Sequence, residues 1–126
     1  MSRAASTALV GALLSGCGPA APPSVAPPAQ VAADVAAAAY AACVDKAAAA
    51  VDLTADQTPT LADRALKACV AERAAVAAKV NAAGVAGGVD PMTARLVAER
   101  SVRVADSELR ERANAAIITR KLKTGG

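Results

Sequence analysis

The sequence predicts an all-α protein: a disulfide-linked antiparallel helical hairpin followed by a long third helix, carried on an extended proline-rich tether. Three observations lead there. Thirty-eight of the 126 residues are alanine, the residue with the best intrinsic helix propensity. No sustained period-two run of Val, Ile, Thr or aromatic residues marks a strand. Cys43 and Cys69 stand at matching distances on either side of a polar turn near Ala55 and Asp56. In an antiparallel hairpin equal distances from the turn mean equal heights, so the two sulfurs face each other. The length fits one small domain. Tyr40 is the only aromatic residue, so the core relies on Ala-lined helix faces that approach closely.

Residues 1–16 read as an address, a segment to be removed, rather than as part of the fold. Arg3 supplies a positive start, Ala4 to Leu14 form a short apolar stretch, and Leu14-Ser15-Gly16-Cys17 follows. This pattern resembles a bacterial lipoprotein signal peptide with its lipobox, and all four lipobox positions match. The resemblance implies cleavage between Gly16 and Cys17, a diacylglyceryl group on the Cys17 thiol and acylation of the new amine. It implies a lipid-anchored envelope protein. Gly18, where enteric lipoproteins kept in the inner membrane carry Asp, points to the outer membrane, facing the periplasm. The apolar stretch is too short to span a bilayer, which needs about 20 apolar residues, whereas several acyl chains anchor stably.

Residues 17–29 form the lipidated tether. From Gly18 to Gln30 the chain reads GPAAPPSVAPPAQ. Its prolines favour extended polyproline II over helix, and at ~3.1 Å per residue it reaches about 40 Å.

The hairpin occupies residues 30–83. Its first helix is expected from Gln30 to Val51, with Val31, Val35, Ala39, Ala42 and Cys43 on the buried side and Tyr40, Ala47 and Val51 extending the stripe. Tyr40 reads as a packed residue with its hydroxyl near solvent. Asp52 to Thr58 make the turn. Thr58 as N-cap and Pro59 in the first helical position open the second arm, which runs to Ala83. Leu61, Ala65, Leu66, Cys69, Val76 and Val80 mark its buried face, and Gly84 is placed to end it. With Cys17 lipidated, two cysteines remain. Export places them in an oxidising compartment, which predicts a Cys43–Cys69 bridge. A redox pair or a metal site fits less well: the spacing is long and the chain has no His.

Residues 84–90 are a Gly-rich link. Asp90-Pro91 repeats the cap-then-proline start signal, and residues 91–126 form a long charged helix and tail. The helix is expected from Pro91 to Leu122, about 48 Å at 1.5 Å per residue. Leu96, Val102, Ala105, Leu109, Ala113, Ala116 and Ile117 form its apolar stripe. Glu99–Arg103, Asp106–Arg110 and Glu108–Arg112 are spaced as i,i+4 pairs on a solvated face. A break at Ser101 or Ser107 stays open on the sequence alone, as does whether this helix packs on the hairpin or projects to self-associate.

Chemistry is sparsely signalled. Without His there is no imidazole base or nitrogen ligand. No serine sits in a nucleophile elbow, and Gly84, Gly87 and Gly88 lack the strand and lysine of a phosphate loop. The formal net charge of +3 is dispersed with alternating sign. A nucleic-acid footprint needs a basic patch, usually with stacking aromatics. The tail from Thr119 to Lys123 reads instead as a positive last turn matched to the helix dipole. No catalytic, metal or cofactor residue is assigned; the covalent lipid on Cys17 is the one attached group expected. The mature part also resembles small alanine-rich exported proteins of alphaproteobacteria with one cysteine per hairpin arm. The matching residues are Ala41-Ala42-Cys43 and Thr60-Leu-Ala-Asp63-Arg-Ala-Leu66-Lys-Ala-Cys69. The function expected is non-enzymatic: an accessory or structural subunit of an outer-membrane or periplasmic assembly, or else a free-standing or self-associating envelope spacer. The expected partners are the membrane, through the acyl anchor, and an envelope protein, with no nucleic acid.

Overall fold

A computed structural model describes residues 26–125 as four helices: α1 Pro28–Ala50, α2 Thr58–Lys67, α3 Val70–Ala86 and α4 Pro91–Thr124. The described residues contain no strand. The expected signal peptide, Cys17 and the expected tether up to residue 25 lie outside the described residues. α1 starts two residues earlier than the sequence suggests, inside the expected tether. Pro27 is the N-cap and Pro28 the first helical residue, where a missing N–H costs nothing.

The expected hairpin is present, and Cys43 and Cys69 join its arms through a disulfide with Cα atoms 5.9 Å apart. The second arm is not one helix. It bends at Ala68 and Cys69, where Cys69 takes φ −111° and ψ 31° and becomes the N-cap of α3. Neither Pro nor Gly stands there to announce the bend. α3 packs against α1 and α4, whereas α2 packs chiefly against α4.

The turn between the arms is tied by Asp52, whose Oδ1 accepts from the Thr54 N–H at 2.9 Å and hydroxyl at 2.8 Å. Those bonds, the backbone one first, hold the Asp52 carboxyl below the usual range. The N-cap of α2 is Gln57 rather than Thr58, which is already helical.

Gly84 does not end the second arm. α3 continues to Ala86, and Gly84 lies inside it, where an added Cβ would stand 3.1 Å from the Ala94 Cβ of α4. Its role is close helix approach. The stop falls at Gly88, with φ +87°. The N–H of Val89 bonds Gly84 O and that of Gly88 bonds Val85 O, each at 3.0 Å, which is the Schellman closure. The link therefore shrinks to residues 87–90. Asp90 caps α4 as expected, accepting from the Thr93 N–H at 3.0 Å; the Thr93 side chain first, and then this backbone bond, lower the Asp90 carboxyl pKa.

α4 is unbroken at Ser101 and Ser107, and its 34 residues span about 51 Å at 1.5 Å per residue. It packs on the hairpin along its length, burying Ala94, Ala98, Val102, Leu109, Ala113 and Ile117. Leu96 and Ala116 of the expected stripe are exposed.

The α1 stripe was phased wrongly by the sequence. Val31 and Val35 are 47% and 64% exposed, and Ala39 and Ala42 also face out. The buried line is Ala33, Ala36, Tyr40, Val44 and Ala48. Small side chains let the neighbouring helices approach, so the larger valines point outward. Tyr40, Leu61, Ile117, Val44 and Cys69 are the largest fully buried side chains.

Candidate functional site

The bend at Cys69 opens a cleft of about 390 Å³ where α1, α2, α3 and α4 meet, lined by Tyr40, Asp63, Lys67, Arg73, Asp106 and Arg110 among others. Each element contributes for a local reason. Tyr40 lies on the buried line of α1 and points its ring into the core. Arg73 follows in the first turn of α3, and Asp106 and Arg110 sit one turn apart on α4.

Asp106 is the hub. Its Oδ1 accepts from the Tyr40 hydroxyl at 2.8 Å. Arg73 grips it from the other side, Nε at 3.0 Å from Oδ1 and 2.9 Å from Oδ2, and Nη2 at 2.7 Å from Oδ2. Such bidentate charge-assisted pairs fix orientation as well as adding energy. Burial alone would raise the Asp106 pKa, but the bonds from Arg73 and Tyr40 outweigh it and hold the carboxyl below its ordinary range. The same bond to Asp106 raises Arg73 further. Tyr40 is only 1% exposed. Burial, then the bond to Asp106, pushes its pKa up to about 12.

Arg110 turns away from Asp106 to Asp63 of α2, Nε to Oδ1 at 2.6 Å, which raises the Arg110 pKa. Arg112 pairs with Asp45 of α1. Asp106, Arg110 and Arg112 are therefore spent between helices, not along α4 as expected. Asp106–Arg110 and Glu108–Arg112 do not form ion pairs. Glu99 pairs with Arg95 at 3.1 Å rather than with Arg103.

The tail also serves another element. Arg120 donates from Nη1 to Ala48 O at 2.7 Å and from Nη2 to Val51 O at 3.2 Å. It satisfies carbonyls that the end of α1 leaves open. Lys121 Nζ reaches Asp56 O at 3.1 Å.

Chemically, these groups hold helices together. Tyr40 keeps its proton through the neutral range, Asp106 stays ionised, and both carboxylates in the cleft are bound by guanidinium groups. The predicted pair Cys43 and Cys69 is brought together. The Glu72 carboxylate lies within 4.8 Å of both sulfurs, but disulfide sulfurs are not thiolate ligands. Sequence reasoning missed the Tyr40–Asp106–Arg73 network. Its one usable signal was a lone tyrosine amid alanines, whose buried hydroxyl needs a partner.

None of the described helices is long and apolar enough to cross a membrane. Comparison with protein-family models, curated proteins and solved structures found no match.

Proposed function

We propose that this chain is a non-enzymatic lipoprotein of the bacterial envelope, acyl-anchored through Cys17 at the periplasmic face of the outer membrane. Its helical domain serves as an accessory or structural subunit of a larger assembly. The observation that carries the reading is the lipobox Leu14-Ser15-Gly16-Cys17, followed by a proline-rich stretch that leads into α1 at Pro28. A disulfide joining the hairpin arms suits an oxidising compartment.

An assembly role needs a contact surface. On the outer side of α4, Val97, Val104 and Ile118 are each about half exposed. Their spacing in multiples of seven keeps them near one line of the helix. A partner helix would find them in register.

A second reading, a free-standing or self-associating envelope spacer, is favoured by a different observation. α4 buries apolar residues on the hairpin from Ala94 to Ile117, which gives the domain a core of its own. A mild-detergent pull-down of the native lipoprotein from cell envelopes, read by mass spectrometry, separates the two. A partner recovered in fixed ratio supports the accessory subunit. Recovery of the chain alone rejects it in favour of the spacer. Intact mass of the same material tests the anchor, because an unacylated Cys17 overturns both readings.

A further inference from the structure

Charge is distributed unequally along the bundle, and the charge-poor end is the one where α1 begins. α1 leaves the tether at Pro28. Because α3 runs antiparallel to α1 and Gly84 touches Ala94, the end of α3 and the start of α4 lie at that same end. A small groove of about 220 Å³ between Gln30, Ala33, Val80, Gly87 and Val89 brings the three elements together there. Val31, Val35, Val85, Val89, Met92 and Leu96 are among the large apolar residues exposed at this end. Charge is sparse there: Asp34, Asp90 and Arg95 are the charged residues interspersed among these positions. At the opposite end Asp52, Asp56, Arg64, Arg120, Lys121 and Lys123 crowd around the α1–α2 turn and the close of α4.

We infer that this charge-poor end docks on the lipid surface that holds the acyl chains, so that the bundle stands on the membrane with α4 upright and its highly charged end outermost. The inference rests on the proposed acylation of Cys17. Ten residues separate Cys17 from Pro28, which keeps the end within about 40 Å of the bilayer even when fully extended at ~3.6 Å per residue. Apolar groups facing water at this range gain by entering the headgroup region, where interfacial segments settle about 5–10 Å deep. The stretch from Pro91 to Val97 rises about 10 Å at 1.5 Å per residue, matching that depth. Arg95, inside that stretch, has a long stem that lets its head return to water.

The chain contains no Trp, so a single introduced tryptophan reports its own surroundings. Met92→Trp and Leu122→Trp form a matched pair, because Met92 and Leu122 are 75% and 74% exposed at opposite ends of α4. Each full-length variant is purified from envelopes and placed in vesicles of phosphatidylethanolamine and phosphatidylglycerol with added dibrominated phosphatidylcholine. The expected result is a blue-shifted emission at Met92→Trp that brominated lipid largely quenches, with Leu122→Trp red-shifted and unquenched. Equal, water-like emission from both variants on acylated, vesicle-bound protein overturns the docked end and leaves the anchor standing. Shielding of Met92→Trp that follows protein concentration in lipid-free buffer puts a second copy on this end and also overturns the inference. An intact mass without acyl groups on Cys17 removes the anchor reading and the inference together.

Discussion

The Tyr40 hydroxyl donates to Oδ1 of Asp106 at 2.8 Å across 66 residues of sequence, joining the middle of α1 to the middle of α4. Arg73 of α3 holds the same carboxylate with two nitrogens. Three helices are thus indexed to one side chain. In a core built largely from alanine, which offers little shape to fix how helices slide past one another, such a polar clamp sets the register.

The lone tyrosine makes its own titration visible, since there is no tryptophan and no second phenol. Tyrosine ordinarily releases its proton near pH 10, and in the fold Tyr40 holds it to about 12. Tyrosinate absorbance of the folded protein should therefore rise with a midpoint near 12, falling to the ordinary value in denaturant. The sign for stability follows. The unfolded chain loses this proton first, so the contribution is complete below about pH 10 and is lost as pH rises through the folded value. Asp106→Asn should move the folded midpoint down. A folded protein that titrates at the ordinary value would break the proposed link between Tyr40 and Asp106.

Two aspartates on guanidinium partners should behave differently. Asp106→Ala strands the buried Tyr40 hydroxyl, which costs about 1–3 kcal/mol. Asp63→Ala breaks a pair whose side chains are both nearly half exposed, a loss of about 0–1 kcal/mol. Adding Tyr40→Phe to Asp106→Ala removes the orphaned hydroxyl and should recover part of the loss, a non-additivity that a double-mutant cycle in denaturant melts detects. Simple additivity would show that the hydroxyl bond carries nothing. The lowered Asp106 pKa adds an acid limb. Its contribution is present above the ordinary carboxylate value, about 3.9, and is lost as pH falls through the folded one.

The helices, the hairpin, the bridge and the Asp90 cap were legible because each has a local signal: alanine content, cysteine symmetry about a turn, Asp-Pro. The buried face of α1 was not. Periodicity ranks residues by hydrophobicity, and in a helix of alanines the valines win that ranking. Packing ranked them by size instead, and Val31 and Val35 went outward. The bend at Cys69 carried no signal, since its backbone departs from the helix without Pro or Gly. The α4 ion pairs failed for a related reason. The i,i+4 spacing identifies a possible neighbour, but bidentate contact with Arg73 gives Asp106 more than Arg110 on its own helix does. Only the tertiary arrangement reveals that alternative.

Gly88 offers a test of the α3 stop. Its φ of +87° is a conformation that L side chains adopt at a cost of roughly 1–2 kcal/mol, and an added Cβ meets no neighbour. Gly88→Ala should therefore destabilise by about 1 kcal/mol through the backbone alone, and Gly88→Asn by less, because asparagine tolerates this region. Thermal melts that rank alanine at or above glycine would place the stop elsewhere, with Gly84 the next position to test.

The disulfide closes the segment from Cys43 to Cys69, a separation of 26 residues. In the chain-entropy account a loop of this size stabilises by roughly 3–4 kcal/mol. The bridge acts on the unfolded chain, while the native contacts of α1 with α3 and of α4 with both remain without it. Reduction, or Cys43→Ser with Cys69→Ser, should lower the melting temperature markedly while far-UV circular dichroism at low temperature stays helical. Cys69 is fully buried and Cys43 half-buried, so reduction of the native protein should be slow and should quicken with mild denaturant. Loss of helicity on reduction would mean that the hairpin depends on the bridge to form at all. Equal melting of reduced and oxidised protein would mean that the Ala-rich packing and the Tyr40–Asp106–Arg73 clamp hold the arms unaided, leaving the bridge no stabilising role.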